Sequence, residues 1–255
     1  MNTTDNTILI TGGGSGIGRA LAEAFHRLGN QVIVAARGQK SLDETTAANP
    51  GMKSLTVNAS DPKSIQSFAG QVTKENPSLN VLINNAGIMR PENLLERPNN
   101  LSDAETTVAT NLLGPIRLTT ALLPALRKQS RATIINVSSG LAFVPLAMTP
   151  TYCATKAAIH SYTQSLRYQL ATTNVEVIEL IPPYVQTTLM GDQQAEDPKA
   201  MPLKEFIDEV MSILNSQPDV KEVCVKKVYP LRFAAEGGQE KYERFFQQFN
   251  DSMHK

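Results

Sequence analysis

A chain of 255 residues, 41% hydrophobic and 19% charged, has a globular composition and enough apolar material for one large α/β domain or two small ones. Lys and Arg together number 24, as do Asp and Glu, so the net charge is zero and no basic field points to nucleic acid or an anionic membrane surface. Cys153 and Cys224 make neither a metal spacing nor a disulfide framework, no signal peptide or membrane span is visible, and a reducing, cytoplasmic setting is the expectation.

In chain order, Thr7 to Thr11 reads as a short buried strand. Gly12-Gly13-Gly14-Ser15-Gly16-Ile17-Gly18 follows, then an amphipathic helix to about Leu28 and a second buried strand, Gln31 to Ala36. This is a βαβ unit, which needs a parallel pair and a right-handed crossover. Helices near Gln39–Ala48 and Pro62–Glu75 then alternate with strands near Lys53–Val57 and Asn80–Asn84. One long helix is expected over Ser102–Lys128, a strand over Thr133–Val137, a helix over Thr149–Thr172 and a strand over Val175–Ile181. Unbroken Val/Ile/Leu runs suit strands covered on both faces. Pro182-Pro183 stops the last of them, and Gln186 to Pro202 reads as a mobile loop or lid. Leu203–Leu214 returns to helix, Glu222–Lys226 is a last short strand, and Gln239–Met253 carries Tyr242, Phe245, Phe246, Phe249 and Met253 at helical spacing, the pattern of a core or subunit contact. The expected fold is a single-domain, Rossmann-type α/β protein: a doubly wound parallel sheet of six to seven strands flanked by helices.

Three groups of residues carry chemistry. The glycines of Gly12-x3-Gly16-x-Gly18 let a strand-to-helix turn approach a pyrophosphate, which then meets the free N–H groups and positive dipole end of the helix. The second strand ends Ala35-Ala36-Arg37 with no acid for a ribose 2′-hydroxyl, and Arg37 offers a guanidinium to a 2′-phosphate instead. Tyr152 and Lys156 lie four apart, one turn along one helix face, where an ammonium is expected to lower the phenol pKa and fit it for proton transfer. About 0.3 such pairs arise by chance in a chain of this composition, so the pair gains meaning only from the other groups. Cys153, about 100° further round the helix, reads as packing. His26, His160 and His254 share no spacing with one another or with an acid, and no metal set is visible.

Five blocks in this order resemble the short-chain dehydrogenase/reductase family: Thr11–Gly18 (TGGGSGIG), Asn84–Gly87 (NNAG), Asn111 within TNLLG, Val137–Ser139 (VSS) and Tyr152–Lys156 (YCATK). The resemblance covers about residues 7–190, and the segment ELIPP is similar to a branch that includes oxidoreductases encoded beside D-alanylation genes. It implies one domain over 1–255, with a cofactor-binding and catalytic core over 6–190, a lid and substrate region over 184–218, and the last strand and C-terminal helix over 219–255. The implied cofactor is NADP(H), held by Thr11, Gly12, Ser15, Gly16, Ile17 and Gly18 at the phosphates and ribose, Arg37 at the 2′-phosphate, Asn58 and Ala59 at the adenine, Asn85, Ala86 and Gly87 along its length, and Pro182, Val185 and Thr187 at the carboxamide. Asn58 departs from the usual Asp, although its amide oxygen can still accept from the adenine amino group. Pro183 departs from the usual Gly and stiffens the segment.

By the same resemblance, Tyr152 is the general acid/base. Lys156 tunes it and holds the nicotinamide ribose, Ser139 donates to the substrate oxygen, and the Asn111 carbonyl holds a relay water. Ser138 is one residue too early, on the other strand face. The substrate is a carbonyl compound or secondary alcohol, with Phe143, Val144, Leu146, Met148, Tyr184 and Met190 flanking an apolar pocket. Arg90 is available to an acidic group, although a surface role is the plainer reading. A homodimer or homotetramer through the helices carrying Asn111 and Tyr152 is also implied. Two other readings stand beside this one: an NADPH-binding sensor or interaction protein without turnover, and an acyl-ester hydrolase reusing Ser139, Tyr152 and Lys156.

Overall fold

The computed structural model describes residues 1–96 and 100–253, and His254 lies outside them. Seven strands, β1 (Thr7–Thr11), β2 (Gln31–Ala36), β3 (Lys53–Thr56), β4 (Val81–Asn84), β5 (Ala132–Val137), β6 (Val175–Ile181) and β7 (Glu222–Cys224), form one parallel sheet in the order β3-β2-β1-β4-β5-β6-β7. Helices α1 (Gly16–Arg27), α2 (Gln39–Ala48) and α3 (Pro62–Glu75) cross between the first four strands. The strand order reverses between β1 and β4, so the loops after these strands diverge and leave a crevice at the carboxyl edge of the sheet.

Both faces of the sheet are covered, as the unbroken apolar strands require. Ile8, Ile10, Val34, Ile83, Ile178 and Leu180 pack against Leu21 and Phe25 of α1 and Phe206, Val210 and Leu214 of α8 (Leu203–Ser216). Leu9, Ile33, Leu82 and Ile134 face the opposite layer, with Ile65, Phe68 and Val72 of α3 and with Leu118, Leu122 and Leu166. Asp61 starts α3 by accepting a hydrogen bond from the Lys63 N–H, and Pro62 occupies the first turn, where no N–H is needed.

The long helix expected over Ser102–Lys128 is three pieces: α4 (Ser102–Val108), a π-helical turn (Ala109–Leu113) and α5 (Gly114–Leu126). Pro115 has no N–H to give the Asn111 carbonyl four residues earlier, so the α-helical ladder cannot run through. The Gly114 N–H instead reaches back to the Ala109 carbonyl. A Cβ at Gly114 would stand 2.7 Å from the Ala59 carbonyl oxygen, which explains a residue without one there.

Helix α6 (Pro150–Gln169) carries Tyr152 and Lys156. Residues 182–202 are more ordered than a polar loop. Val185 bridges to Met201, the Gln186 N–H donates to the Met201 carbonyl, and a short helix α7 (Asp192–Glu196) fills the excursion. After β7, a helical turn α9 (Tyr229–Arg232) leads to α10 (Gln239–Met253). The aromatic stripe of α10 lies on the protein body: Phe249 and Met253 pack on the Leu146–Tyr152–Cys153 cluster, and Tyr242 Oη donates to the Phe143 carbonyl. Among the described residues, no helix is long and apolar enough to cross a membrane.

Candidate active site

A groove runs along the carboxyl edge of the sheet. One part is lined by Gly12, Ser15, Gly16, Ile17, Gly18, Asn85, Ala86, Gly87, Ser139, Tyr152, Lys156, Pro182, Pro183, Val185 and Thr187. It continues past Gly12, Ala86, Gly87 and Ile88 to Ala35, Ala36, Arg37, Gly38, Val57 and Ala59. The floor is therefore built of small side chains between the β1 and β4 loops. Gly12 has φ +69°, and a Cβ there would meet Asn85 Nδ2 at 2.8 Å. This cradle, open and narrow from Thr187 to the exposed guanidinium of Arg37, fits an extended dinucleotide.

Two expected contacts resolve differently. Thr11 is buried beneath the groove and is not among its lining residues. Its Oγ1 accepts from the N–H groups of Asn85 and Ala86, both at 3.1 Å, and donates to the Ile83 carbonyl, so it pins the 85–87 turn against the glycine loop. Asn85 completes the clasp by donating from Nδ2 to the Thr11 carbonyl at 2.9 Å. Asn58 also lies off the groove. Its Oδ1 accepts from the Ser60 N–H and Oγ, an Asx turn that uses both lone pairs, while its neighbours Val57 and Ala59 face the groove.

Ser139, Tyr152 and Lys156 meet at the inner end. Ser139 ends the extended run of β5, where its Oγ accepts from the Leu141 N–H at 3.1 Å. Tyr152 projects from the first turn of α6, buried against Leu146 and Cys153. The net depression of this phenol expected from the ammonium is not met in this geometry, because burial dominates. Burial pushes the Tyr152 phenol above its usual value, and a hydrogen bond with Ser139 only partly opposes that. Lys156 Nζ stands 5.5 Å from the Tyr152 ring centroid and donates to the Val137 carbonyl at 2.8 Å. Burial pulls the Lys156 ammonium down to about 8, with the charge of Glu179 working the other way.

Asn111 sits in the π turn, buried, and closes a two-bond clasp on Ile88: its Oδ1 accepts from the Ile88 N–H at 2.9 Å and its Nδ2 donates to the Ile88 carbonyl at 2.8 Å. Its side chain thus ties the loop after β4 to the helix pair. Pro115 cannot give the Asn111 carbonyl the usual α-helical N–H.

Sequence reasoning missed several contributors. Gln194 of α7 lines the groove and ties the segment after β6 together, with Nε2 donating to the Val185 carbonyl at 2.8 Å and to Thr187 Oγ1 at 3.1 Å, and Oε1 accepting from the Met190 N–H. Glu92 straps the loop after β4 to the start of α6 through the N–H and hydroxyl of Thr151. The pocket beside Tyr152 is walled by Ile88, Met89, Pro183 and Leu189, with Arg90. The apolar residues expected there lie elsewhere: Phe143 stacks edge-on with His160, Leu146 and Met148 pack with α10 under the site, and Tyr184 Oη donates to Asp197. Arg90 pairs with Asp103. His160 is not an isolated helix histidine, since its Nδ1 lies 2.8 Å from Glu179 Oε2. The fold also brings His160, Glu179 and Glu222 within reach of one another, a grouping that no sequence spacing displays. Cys153 packs as expected, buried, with Sγ accepting from the Leu146 N–H.

A family model described as short chain dehydrogenase matches residues 6–198. An uncharacterized oxidoreductase DltE of Bacillus subtilis (strain 168) is 38% identical over 253 residues, covering 98% of each chain. An uncharacterized oxidoreductase of Staphylococcus aureus (strain MRSA252) is 28% identical over 230 residues, 88% of this chain and 98% of that one. A short chain dehydrogenase from Burkholderia cenocepacia J2315, solved in complex with NADP, superposes with a TM-score of 0.81 at 25% identity over 96% of this chain and 99% of the other. A short chain dehydrogenase/reductase from Burkholderia phymatum, solved in complex with NAD, shares the fold at a TM-score of 0.79 and 20% identity over 92% of this chain and 95% of the other. With the family model spanning six of the seven strands, the glycine loop and the Tyr152–Lys156 helix together, this chain belongs to the short chain dehydrogenase family of oxidoreductases.

Proposed function

We propose that the protein transfers a hydride between NADP(H) and a carbonyl compound or secondary alcohol, with Tyr152 as general acid/base. The observation that carries this reading is the convergence of Ser139, Tyr152 and Lys156 on the inner end of a groove whose far end presents Arg37. When bound, the nicotinamide supplies the hydride in reduction and accepts it in oxidation. The chain does the rest. Gly12 through Gly18 receive the phosphates, Arg37 the 2′-phosphate, and Val185 and Thr187 the carboxamide. Tyr152 Oη gives its proton to the substrate oxygen in reduction and Ser139 Oγ donates a hydrogen bond to the same oxygen. A phenol held above its usual pKa is fully protonated at neutral pH, the form a reductase needs. Lys156, still an ammonium there, stabilises the phenolate left behind. Ile88, Met89, Pro183 and Leu189 exclude water and favour an apolar substrate.

The reading is tested by following NADPH consumption over a panel of aliphatic and aromatic ketones and aldehydes. Turnover with NADPH should exceed that with NADH, and Arg37→Ala should lower kcat/KM for NADPH by about 10- to 100-fold, the loss of one charge-assisted contact, while leaving NADH nearly unchanged. Equal kcat/KM for the two cofactors in the unmodified protein would remove Arg37 from the assignment. Assembly through the outer faces of α5 and α6 belongs to the same reading, and sedimentation at assay concentration should give a dimer or tetramer; a stable monomer would overturn it.

A further inference from the structure

Behind the Tyr152–Lys156 pair lies a buried charge that the reaction as written does not use. Glu179 sits in β6, wholly inaccessible to solvent, in a strand whose other buried positions are apolar. Its Oε1 accepts from Ser138 Oγ at 2.5 Å, and its Oε2 lies 2.8 Å from His160 Nδ1. A carboxylate removed from water persists only when it is hydrogen-bonded and balanced by a cation.

Two routes tie Glu179 to Lys156. On α6, His160 lies one turn beyond Lys156 on the same face. At the end of β5, Lys156 Nζ donates to the Val137 carbonyl, adjacent to Ser138, and the Ser138 N–H donates to the Leu180 carbonyl at 2.9 Å, adjacent to Glu179. Ammonium and carboxylate are thus held at one corner of two strands, and the Glu179 charge opposes the loss of the Lys156 proton that burial promotes.

The remaining groups around Glu179 are accounted for. In β7, Glu222 stands in register with Glu179, and Arg232 of α9 holds it with two bonds, at 2.7 and 3.1 Å. Cys224 is pushed up to about 12, chiefly by burial, and stays neutral. His160, Glu179 and Glu222 present possible ligand atoms within 4.8 Å of one another, but the Arg232 guanidinium already supplies the balancing cation on Glu222. Nor are Ser138, Glu179 and His160 a nucleophilic triad, because the acid rather than the imidazole stands next to the hydroxyl.

We propose that Glu179 is a positioning residue for the Tyr152–Lys156 centre. Its carboxylate, fixed by Ser138 and His160, supplies the buried negative charge that keeps Lys156 an ammonium, and it anchors the strand end from which Ser139 projects. The proposal rests on the hydride-transfer reading for its consequence in catalysis, but not for its physical core.

The test is therefore made first on the protein alone. In protein carrying carbon-13-labelled lysine, the NMR signal that disappears in Lys156→Met should titrate near pH 8 in the unmodified chain. Glu179→Gln, which keeps an acceptor for Ser138 and removes the charge, should move that midpoint down by about one pH unit. Should Glu179→Gln fail to fold, Glu179→Asp keeps the charge one methylene further away and should give a smaller shift in the same direction. An unchanged Lys156 midpoint in the variant overturns the proposal. In turnover with NADPH, Glu179→Gln should lose activity on the alkaline side and regain it as the pH falls, with the limb displaced by the same amount. No NADPH turnover by the unmodified protein on any carbonyl would sink the hydride-transfer reading, while the lysine titration would still decide the role of Glu179.

Discussion

Tyr152→Phe should lower kcat for NADPH-dependent carbonyl reduction by about 10²- to 10⁴-fold, the span contributed by a positioned general acid. NADPH affinity should stay within a few-fold of the unmodified value. The substitution deletes one oxygen and keeps the ring that packs against Leu146 and Cys153, so no cavity opens in that cluster. Ser139 keeps its bond from the Leu141 N–H, and Lys156 keeps its bond to the Val137 carbonyl. What disappears is the proton that the substrate oxygen must receive, and Ser139 cannot replace it, since a serine hydroxyl is a far weaker acid than the phenol. The measurement is single-turnover and steady-state oxidation of NADPH, with binding followed separately by cofactor fluorescence. Retention of more than a tenth of the unmodified kcat would show that Tyr152 is not the acid. A parallel loss of NADPH binding would mean that the hydroxyl serves the cofactor rather than the chemistry.

Much of the framework was legible because its signals are local. The bounds of β1, β2 and β6 are those expected, since unbroken Val/Ile/Leu runs end at Gly, Arg or Pro. Helices α2 and α3 likewise begin and end where their patterns do. The break at Ala109–Leu113 was missed because the apolar spacing runs through it, although Pro115 carried the signal: a proline inside a helix orphans the carbonyl four residues before it. Thr11 was assigned to the cofactor because its place in the glycine block is visible in one dimension. The partners of its side chain, Asn85 and Ala86, follow β4, more than seventy residues on.

The same limit hid the Glu179–His160 contact. Nineteen residues separate the two, on a strand and on the helix before it, and only the crossover of α6 onto the sheet brings them together. There was a sequence-level hint: a carboxylate inside a strand covered on both faces has to be paired. The apolar neighbours of Glu179 in β6 mask that requirement in the sequence. Gln194 was lost for a different reason, since a polar residue in a polar stretch carries no signal until α7 folds over Val185 and Thr187.

Gly18→Ala should weaken NADPH binding at least about 10-fold and lower Tm by about 2–8 °C. Two effects of opposite sign compete at this position. Gly18 lies in the first turn of α1, where alanine is favoured over glycine by about 1 kcal/mol on helix propensity alone. Against that, an added Cβ would stand 2.3 Å from the Gly12 carbonyl oxygen, 2.4 Å from Asn85 Nδ2 and 2.8 Å from the Gly12 carbonyl carbon. Two of these three atoms are backbone and cannot turn aside, so the glycine loop itself must move. Overpacking of this kind costs about 1–3 kcal/mol, which exceeds the propensity gain over most of its range and translates into a few degrees for a chain of this size. The displacement also pushes Gly12 and Asn85 apart, the two sides of the cradle that Thr11 clasps together, so the loss in cofactor affinity should exceed the loss in stability. Gly70→Ala separates sterics from propensity. Gly70 lies exposed within α3 with nothing within 4 Å of a new Cβ, so the same substitution there should stabilise by about 1 kcal/mol and leave NADPH affinity alone. If the two variants shifted Tm in the same direction, or if Gly18→Ala bound NADPH as tightly as the unmodified protein, the close approach of α1 to the Gly12 and Asn85 turns would not be what shapes the groove.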